Sequence, residues 1–353
     1  MLSLQRLAPQ AEFSREFIIP NPLANHMRKV LHVGPCDTPG GMATVMHTLA
    51  EFPPEGWQAE LLASHAPGGL WAKWRAYRRA GRELQRRCTD EHFRPDIVHV
   101  HVASDWSWRR KARLVGLARK HGAPVVLHFH SGQFDAWLTK GGEPRNKQVR
   151  SVLDDGGVRG VVLSSAWNER LSPALGPLEV VENPLPRHVS NSPDEREEQH
   201  LLLLGRDDPV KGHAFAIQLA EALRPSFPDL RLTMTGASQS EQTWVDARGW
   251  VSEEEKASLL AKSSVLLIPS AFEGQPLVAL EALSAGLPVC ASDRIVGLPD
   301  IVKMAAFEDV EAWVAAVSDL LYHPPESAAL MASAAPYEID EIQRRWKTIY
   351  ESY

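Results

Sequence analysis

Runs of apolar, β-branched residues alternate with amphipathic helical patterns along this chain, and this alternation restricts the possible fold more than any other feature. Strands that alternate with helices form parallel sheets covered by helices on both faces. The sequence therefore predicts a doubly wound α/β domain in the first half. Its predicted elements are strand 29–34, helix 41–51, helix 70–91, strand 96–102, helix 107–121, strand 124–130 and strand 158–164.

The same rhythm restarts after a polar stretch around residue 186, and a chain of 353 residues is long enough for a second domain. We expect domains at 27–186 and 187–335, after an N-terminal extension of residues 1–26. Ligands of doubly wound sheets bind beyond the carboxyl ends of the strands, so the two sheets should face a common cleft. The predicted elements of the second domain are strand 200–205, helix 212–223, strand 230–236, strand 264–269, helix 275–285 and strand 288–292.

The last segment, residues 336–353, carries an apolar stripe that needs a surface to cover it. We expect a helix here that crosses back to the first domain, with Trp346 and Tyr350 docking it. Apolar side chains recur at spacings of three and four residues, as on one face of a helix, and they are Ile339, Ile342, Trp346, Ile349 and Tyr350.

Composition excludes several classes of protein. No stretch approaches the roughly 18 consecutive apolar residues that a membrane-spanning helix needs, and the N-terminus lacks the apolar core of a signal peptide. The cysteines Cys36, Cys88 and Cys290 stand far apart and have no metal-binding or redox spacing. We therefore expect reduced thiols in a cytoplasmic protein.

The net charge of −6 conceals a difference between the two halves. Residues 1–186 hold 24 Lys and Arg against 18 Asp and Glu, whereas residues 187–353 hold 14 against 26. The first half is therefore basic and the second strongly acidic. Such an asymmetry predicts unlike partners for the two domains.

The segment after the predicted strand 264–269 carries the strongest functional signal. It places Glu273 and Glu281 on either side of a helix start, with seven residues between them. Gly274 permits close approach of the backbone, and the helix beginning near Gln275 aims unpaired N–H groups and a positive dipole end at the cleft. This arrangement suits an anion such as a diphosphate.

A helix end contributes only roughly 0.3 to 1 kcal/mol when exposed, so cationic side chains are needed as well. The turn GRDDPVKGH after strand 200–205 supplies Arg206 and Lys211. Arginine offers paired donors for phosphate oxygens, and lysine offers a compact charge. Both residue types suit a diphosphate leaving group.

These residues resemble the retaining glycosyltransferases of family 4, which have the GT-B fold. The resemblance covers residues 29–353 and rests on the segments GGMATV, LHFHSG, the VEN-Pro step near Asn183, GRDDPVKG and EGQPLVALEALSAGLPV. It implies two Rossmann-like domains facing a cleft, the first for the acceptor and the second for a nucleotide-activated sugar. It also implies a reaction without a metal or other cofactor.

The resemblance also implies roles for individual residues. Arg206 and Lys211 would hold the donor's diphosphate, and Glu281 would accept hydrogen bonds from ribose hydroxyls. Glu273 would meet the donor sugar together with the backbone of Gly274, Gln275, Pro276 and Leu277. The expected catalytic residues are His130, Glu273, Arg206 and Lys211.

On the first domain, Gly40 and Gly41 open the helix after the first strand, where paired glycines let backbone amides meet a phosphate. A simple strand-to-helix turn is the alternative. His130 ends the strand in LHFHSG and matches the family's active-site histidine, which contacts the donor sugar.

Two His-x-His pairs, His99 with His101 and His128 with His130, place side chains on one strand face each. A metal site is therefore conceivable. No clear second set of ligands accompanies the pairs, so we expect no metal. His99, His101 and His128 are expected to pack in the core or to support His130.

A basic stripe on helix 70–91 suggests a membrane or acceptor surface. Trp71 and Trp74 border the stripe, whereas Leu70, Tyr77, Ala80 and Leu84 are expected on the opposite side. Anionic lipid attracts such cations by up to about 1 kcal/mol each, enough for peripheral attachment at the inner face of the cell membrane. A solvated helix face is the alternative; nucleic acid is not expected, because no recognition motif is present. The stripe consists of Arg75, Arg78, Arg79, Arg82 and Arg86.

The sequence thus predicts retaining transfer of a hexose from a nucleotide-diphosphate sugar to a glycan or lipid-linked acceptor in cell-surface polysaccharide synthesis. Two alternatives are a nucleotide-sugar epimerase of GT-B fold and a catalytically silent nucleotide-sugar-binding subunit. The sugar, base and acceptor would be selected mainly by loops at 131–147 and 236–252.

Overall fold

Two parallel sheets make up the computed structural model, which describes residues 27–185 and 196–353. The first sheet has the strand order β2-β1-β3-β4-β5-β6. Its strands and helices are β1 Arg28–Gly34, α1 Gly41–Glu51, β2 Trp57–Ala63, α2 Leu70–Thr89, β3 Ile97–Val102, α3 Asp105–Lys120, β4 Val125–Phe129, α4 Phe134–Leu153, β5 Val158–Val162, α5 Ser165–Leu175 and β6 Glu179–Val180.

The second sheet has the order β12-β11-β10-β7-β8-β9. Its central strands are short and fully buried, as expected of parallel strands covered on both faces. Its elements are β7 His200–Leu203, α6 His213–Leu223, β8 Arg231–Met234, β9 Val245–Ala247, α7 Glu253–Lys262, β10 Val265–Ile268, α8 Leu277–Ser284, β11 Val289–Ser292, β12 Lys303–Ala305, α9 Val310–Tyr322, α10 Ser327–Ala334 and α11 Ile339–Glu351.

The predicted α/β architecture is confirmed, and each predicted strand is present with ends within two residues of the prediction. The expectation of a loop at 131–147 is wrong, because α4 begins at Phe134. Gly142, with a φ of 59°, kinks this helix just before Pro144. The other expected loop, 236–252, contains β9.

The C-terminal helix α11 packs on the first sheet, as predicted. Trp346 and Tyr350 are buried in one apolar cluster with residues of β1, β3, β4 and α1. Gln343 donates from Nε2 to the carbonyl of Phe52 at 3.0 Å, which fixes the helix beside the end of α1. The last helix of the second half therefore completes the core of the first.

Some predictions fall on residues outside the described ranges. The N-terminal extension, residues 1–26, and the boundary between residues 186 and 187 both lie there. Within residues 27–185 and 196–353, no helix has the length and apolar character needed to cross a bilayer. The three cysteines are buried free thiols.

Replacing Trp346 with alanine should lower the free energy of unfolding by about 3 to 5 kcal/mol, because a side chain that is 1% exposed leaves a cavity under α11. Trp71→Ala is the matched control, since Trp71 is 77% exposed. Urea unfolding followed by circular dichroism measures both variants. Equal stability of the two would contradict the docking of α11 on the first sheet.

Candidate functional site

A cleft of about 790 Å³ lies between the carboxyl ends of the two sheets. Loops that follow β1, β4, β7 and β10 line it, as expected for ligand sites of doubly wound sheets. The structure brings together every residue predicted for donor binding or catalysis. The predicted residues that line the cleft are Gly40, Gly41, His130, Arg206, Lys211, Glu273, Gly274, Gln275, Pro276, Leu277 and Glu281.

The turn at 273–275 is held by hydrogen bonds from the first domain. Trp167 donates from Nε1 to the carbonyl of Gly274 at 2.6 Å. The backbone N–H of Asn183 donates to Gln275 Oε1 at 2.7 Å, and its side-chain Nδ2 donates to the Gln275 carbonyl at 3.1 Å. Both Trp167 and Asn183 are buried. This turn therefore connects the two halves of the cleft.

Two glycines allow the backbones of the domains to touch at this point. A Cβ on Gly274 would lie 2.2 Å from the carbonyl oxygen of His130. A Cβ on Gly132 would lie 2.3 Å from the carbonyl carbon of Glu273. Neither position has room for a side chain, so the requirement for glycine is one of space.

Lys211 and Glu273 form an ion pair at the floor of the cleft. Ser270 donates to the same carboxylate oxygen, Glu273 Oε1, at 3.0 Å. Lys211 belongs to a single 3₁₀ turn that ends at Gly212, whose φ of 76° lets α6 begin directly afterwards. Arg206 is exposed at the cleft wall. Two cations and one carboxylate thus lie beside the start of α8.

Glu281 is only 2% exposed and lies on α8, one turn inside the helix. Burial raises the pKa of its carboxyl group, and the neighbouring Lys256 opposes this shift. Lys256 donates to Glu281 Oε1 at 2.8 Å and also contacts Glu253. Among the described residues, Glu281 Oε2 has no hydrogen-bond partner. A buried oxygen of this kind is suited to accept a hydrogen bond from a ligand hydroxyl.

On the first domain, Gly40 caps the N-terminus of α1 with a φ of 145°, a conformation that side chains rarely adopt. His47 contacts the carbonyl of Cys36 at 2.9 Å and so ties the helix to the preceding loop. The sequence identified Gly40 and Gly41, and both lie at the cleft.

Five histidines of the first sheet lie in contact with one another, and His130 is one of them. Beside the two His-x-His pairs lies His32 of β1, which contacts His101 at 3.0 Å. His101 in turn contacts His130 at 2.9 Å. Burial lowers the pKa of His32 and of His130 to about 3, so both rings are neutral at physiological pH.

Lys111 of α3 is a second group that sequence reasoning missed. It is 4% exposed, and its ammonium group donates to Ser64 Oγ at 2.6 Å. Burial lowers the pKa of Lys111 to about 7. In the sequence it stands in a run of cations with Arg109, Arg110 and Arg113, and only its position on the inner face of α3 distinguishes it.

The predicted basic stripe lies on α2, away from the cleft, and all five arginines are exposed. Trp71 and Trp74 stand beside it with exposures of 77% and 50%. Leu70 was expected on the opposite side, but it is 86% exposed because it begins the helix before the first buried turn. Trp106 of α3, 70% exposed, adds a further aromatic side chain.

Comparison with known families accounts for both halves of the chain. Residues 23–183 match the family described as "Glycosyl transferase 4-like domain". Residues 198–323 match "Glycosyl transferases group 1". Each sheet therefore has its own family match. Outside both matches lie residues 1–22, 184–197 and 324–353, the last of which include α10 and α11.

Individual proteins agree with these matches. A glycogen synthase of Mycobacterium tuberculosis is 28% identical over 304 residues, which are 77% of this chain and 70% of that protein. The solved sucrose-phosphate synthase of Thermosynechococcus elongatus aligns with a TM-score of 0.69 at 15% identity, over 92% of this chain and 98% of that one. The apo lipopolysaccharide outer core galactosyltransferase WaaB aligns with a TM-score of 0.62 at 14% identity, over 92% and 100%.

Gly274→Ala should destabilise the protein by about 1 to 3 kcal/mol, because the new Cβ meets the fixed carbonyl of His130. Gly116→Ala is the control: a Cβ there has nothing within 4 Å, and alanine favours the α3 helix. Urea unfolding measures both substitutions. If Gly274→Ala is as stable as the native chain, the domains do not touch at this turn.

Proposed function

Since this chain is a glycosyltransferase with the GT-B fold, acting on a sugar donor and an acceptor, we propose that it transfers a hexose with retention of configuration. The donor is a nucleotide-diphosphate sugar, and the acceptor is a glycan or lipid-linked intermediate of cell-surface polysaccharide synthesis. The observation that carries this proposal is the meeting of Arg206, Lys211 and the start of α8 in one cleft.

The diphosphate would lie against these three features. Arg206 and Lys211 supply two positive charges, and the first turn of α8 supplies unpaired amides and the positive end of a helix dipole. The ion pair of Lys211 with Glu273 holds the lysine at the cleft floor. Because these groups already meet the charge of the leaving diphosphate, we propose that the transfer itself uses no metal.

Carboxylates would select the hydroxyl groups of the donor. The unpartnered Oε2 of Glu281 would accept a hydrogen bond from a ribose hydroxyl. Lys256, which donates to Oε1, would keep the carboxylate oriented. Glu273, with the backbone of the turn that follows it, would meet the donor sugar. His130, across the cleft and neutral, would contact the same sugar from the first domain.

Retention would follow from attack on the face that the diphosphate leaves. The bond from the anomeric carbon to the phosphate oxygen breaks, that oxygen takes the proton of the acceptor hydroxyl, and the acceptor oxygen bonds to the anomeric carbon. The protein would position the reactants and stabilise the leaving charge. Gly40 and Gly41 would offer backbone amides to the acceptor or to the distal phosphate.

The basic stripe of α2 would place this cleft near its acceptor. Its exposed arginines, with Trp71 and Trp74 beside them, fit the anionic surface of the inner membrane leaflet. The exposed Trp106 on the neighbouring helix extends this apolar and cationic surface. Attachment through such a surface is peripheral and weakens with salt.

Thermal shift with UDP-, GDP- and ADP-sugars tests the donor site, because a ligand bound only by the folded state raises the melting temperature. One class of donor should stabilise the native chain. Lys211→Ala should remove that shift and lower kcat/KM by about 10²-fold or more, whereas Lys262→Ala, exposed at the end of α7, should change neither.

Product analysis of the same reactions separates the alternatives. Transfer yields an elongated acceptor and a free nucleoside diphosphate. An epimerase would release a rearranged sugar without an acceptor, and a silent binding subunit would release nothing. Full activity of Lys211→Ala would contradict the proposed donor site.

Flotation with anionic vesicles tests the surface on α2. Reversal of Arg78, Arg79 and Arg82 to Glu should abolish binding at low salt, since it removes the attraction and adds repulsion. The control reverses Lys120, Lys140 and Lys147, three exposed cations elsewhere on the first domain, with the same change in charge. Equal flotation of both triple variants would exclude the stripe as the attachment surface.

A further inference from the structure

Four buried histidines and the half-buried His130 form a single layer on one face of the first sheet. Alternation along the strands places His32, His99 and His128 on the same face as the apolar residues that α11 covers. The ring of His99 lies 4.5 Å from that of Trp346, centre to centre. Strand register pairs His32 with His99 and His101 with His128, so the backbone fixes the spacing of the layer.

Hydrogen bonds divide the layer into two chains. In one, His32 Nδ1 contacts His101 Nε2 at 3.0 Å, and His101 Nδ1 contacts His130 Nε2 at 2.9 Å. In the other, the Tyr350 hydroxyl contacts His99 Nδ1 at 2.8 Å, and His99 Nε2 contacts His128 Nδ1 at 3.2 Å.

The second chain ends at a nitrogen that the protein leaves unsatisfied. His128 is fully buried, and its Nε2 has no hydrogen-bond partner among the described residues. A buried polar atom without a partner costs about 1 to 3 kcal/mol, so a ligand at this atom would remove a penalty. One ring nitrogen of His128 lies within 4.8 Å of ring nitrogens of both His101 and His130.

We propose that His101, His128 and His130 bind one divalent transition-metal ion, with Zn²⁺ as the best match. Imidazole nitrogen is a preferred ligand of zinc, and three protein ligands leave a fourth position open. The ligands are His101 Nδ1, His128 Nε2 and His130 Nε2. Because His130 also lines the cleft, the open position lies toward the cleft side of the layer.

The three rings would have to shift to bind one ion. Two nitrogens bound to one tetrahedral zinc ion at about 2.0 to 2.1 Å are about 3.3 Å apart. His101 Nδ1 and His130 Nε2 are 2.9 Å apart, so the rings would separate by a few tenths of an ångström. The ring centres of His128 and His130 are 4.0 Å apart on one strand, and the ligand nitrogens of the three rings lie within 4.8 Å of one another.

The remaining nitrogens supply the outer shell that metal-bound histidines usually have. His101 would carry its ring proton on Nε2 and donate a hydrogen bond to His32 Nδ1. His128 Nδ1 would donate to His99, and His99 would donate to the hydroxyl of Tyr350. Each ligand is then a neutral imidazole, as burial of the rings also favours.

From the sequence we expected no metal, because neither His-x-His pair shows a clear second set of ligands in the chain. Strand register supplies them: β3 and β4 each contribute, and His32 and Tyr350 orient them. A bound ion would cross-link these two strands and fix the ring of His130 at the edge of the cleft. This inference concerns the first sheet and shares only His130 with the proposed donor site.

Metal analysis of the untagged full chain tests the proposal. After removal of metal with a chelator and dialysis against ZnCl₂, we expect one Zn²⁺ per chain and a higher melting temperature. Co²⁺ in the same site should give intense visible absorption typical of four-coordination. Absence of stoichiometric binding, or only the weak spectrum of hydrated Co²⁺, would overturn the proposal, and the native chain alone decides this outcome.

His128→Asn removes Nε2 but keeps an amide near the position of Nδ1, and it should weaken Zn²⁺ binding more than tenfold. His200→Asn replaces a buried histidine of the second sheet, bonded to Thr233, and should bind Zn²⁺ like the native chain. Zn²⁺ binding by folded His128→Asn at native affinity would refute this site. Donor-induced thermal shifts, measured separately, report only on the proposed function.

Discussion

The turn at 273–275 is the constraint on which the rest of the cleft depends. It carries a carboxylate on one side and leads into α8 on the other, and the first domain holds it through Trp167 and Asn183. Its backbone touches that of residues 130–132 because both contact points are glycines. The position of the donor groups relative to His130 is therefore set by direct backbone contact between the domains rather than by the linker.

Much of the fold followed from the sequence, because the central parallel strands are buried on both faces and read as continuous apolar runs. The residues that line the cleft could also be named largely from the sequence, since residues that follow parallel strands meet at the carboxyl edge of the sheet. The helix α4 did not follow from the sequence, because Gly142 and Pro144 are residues typical of turns, whereas in the structure two helical stretches meet across a kink at Gly142. His32 was missed because its importance comes from register with β3, which local spacing does not reveal.

The two walls of the cleft differ in electrostatic character. The second domain contributes charged groups, with Lys211 paired to Glu273 and Lys256 paired to Glu281. The first domain contributes the imidazole of His130, whose pKa burial depresses, together with the carboxylates of Asp37 and Glu51. Its positive charge lies instead on the outer surface of α2. Among the residues lining the cleft, the lysine and arginine side chains that an anionic group could meet, Arg206, Lys211 and Lys256, all belong to the second domain.

Helix α11 has a consequence for the order of events during synthesis. Its apolar face covers the layer of the first sheet that includes Trp57 and the buried histidines. A ribosome that has completed β1 to β6 has not yet made this cover. This face of the nascent first domain therefore stays exposed to water or to a chaperone until nearly all of the remaining chain has emerged.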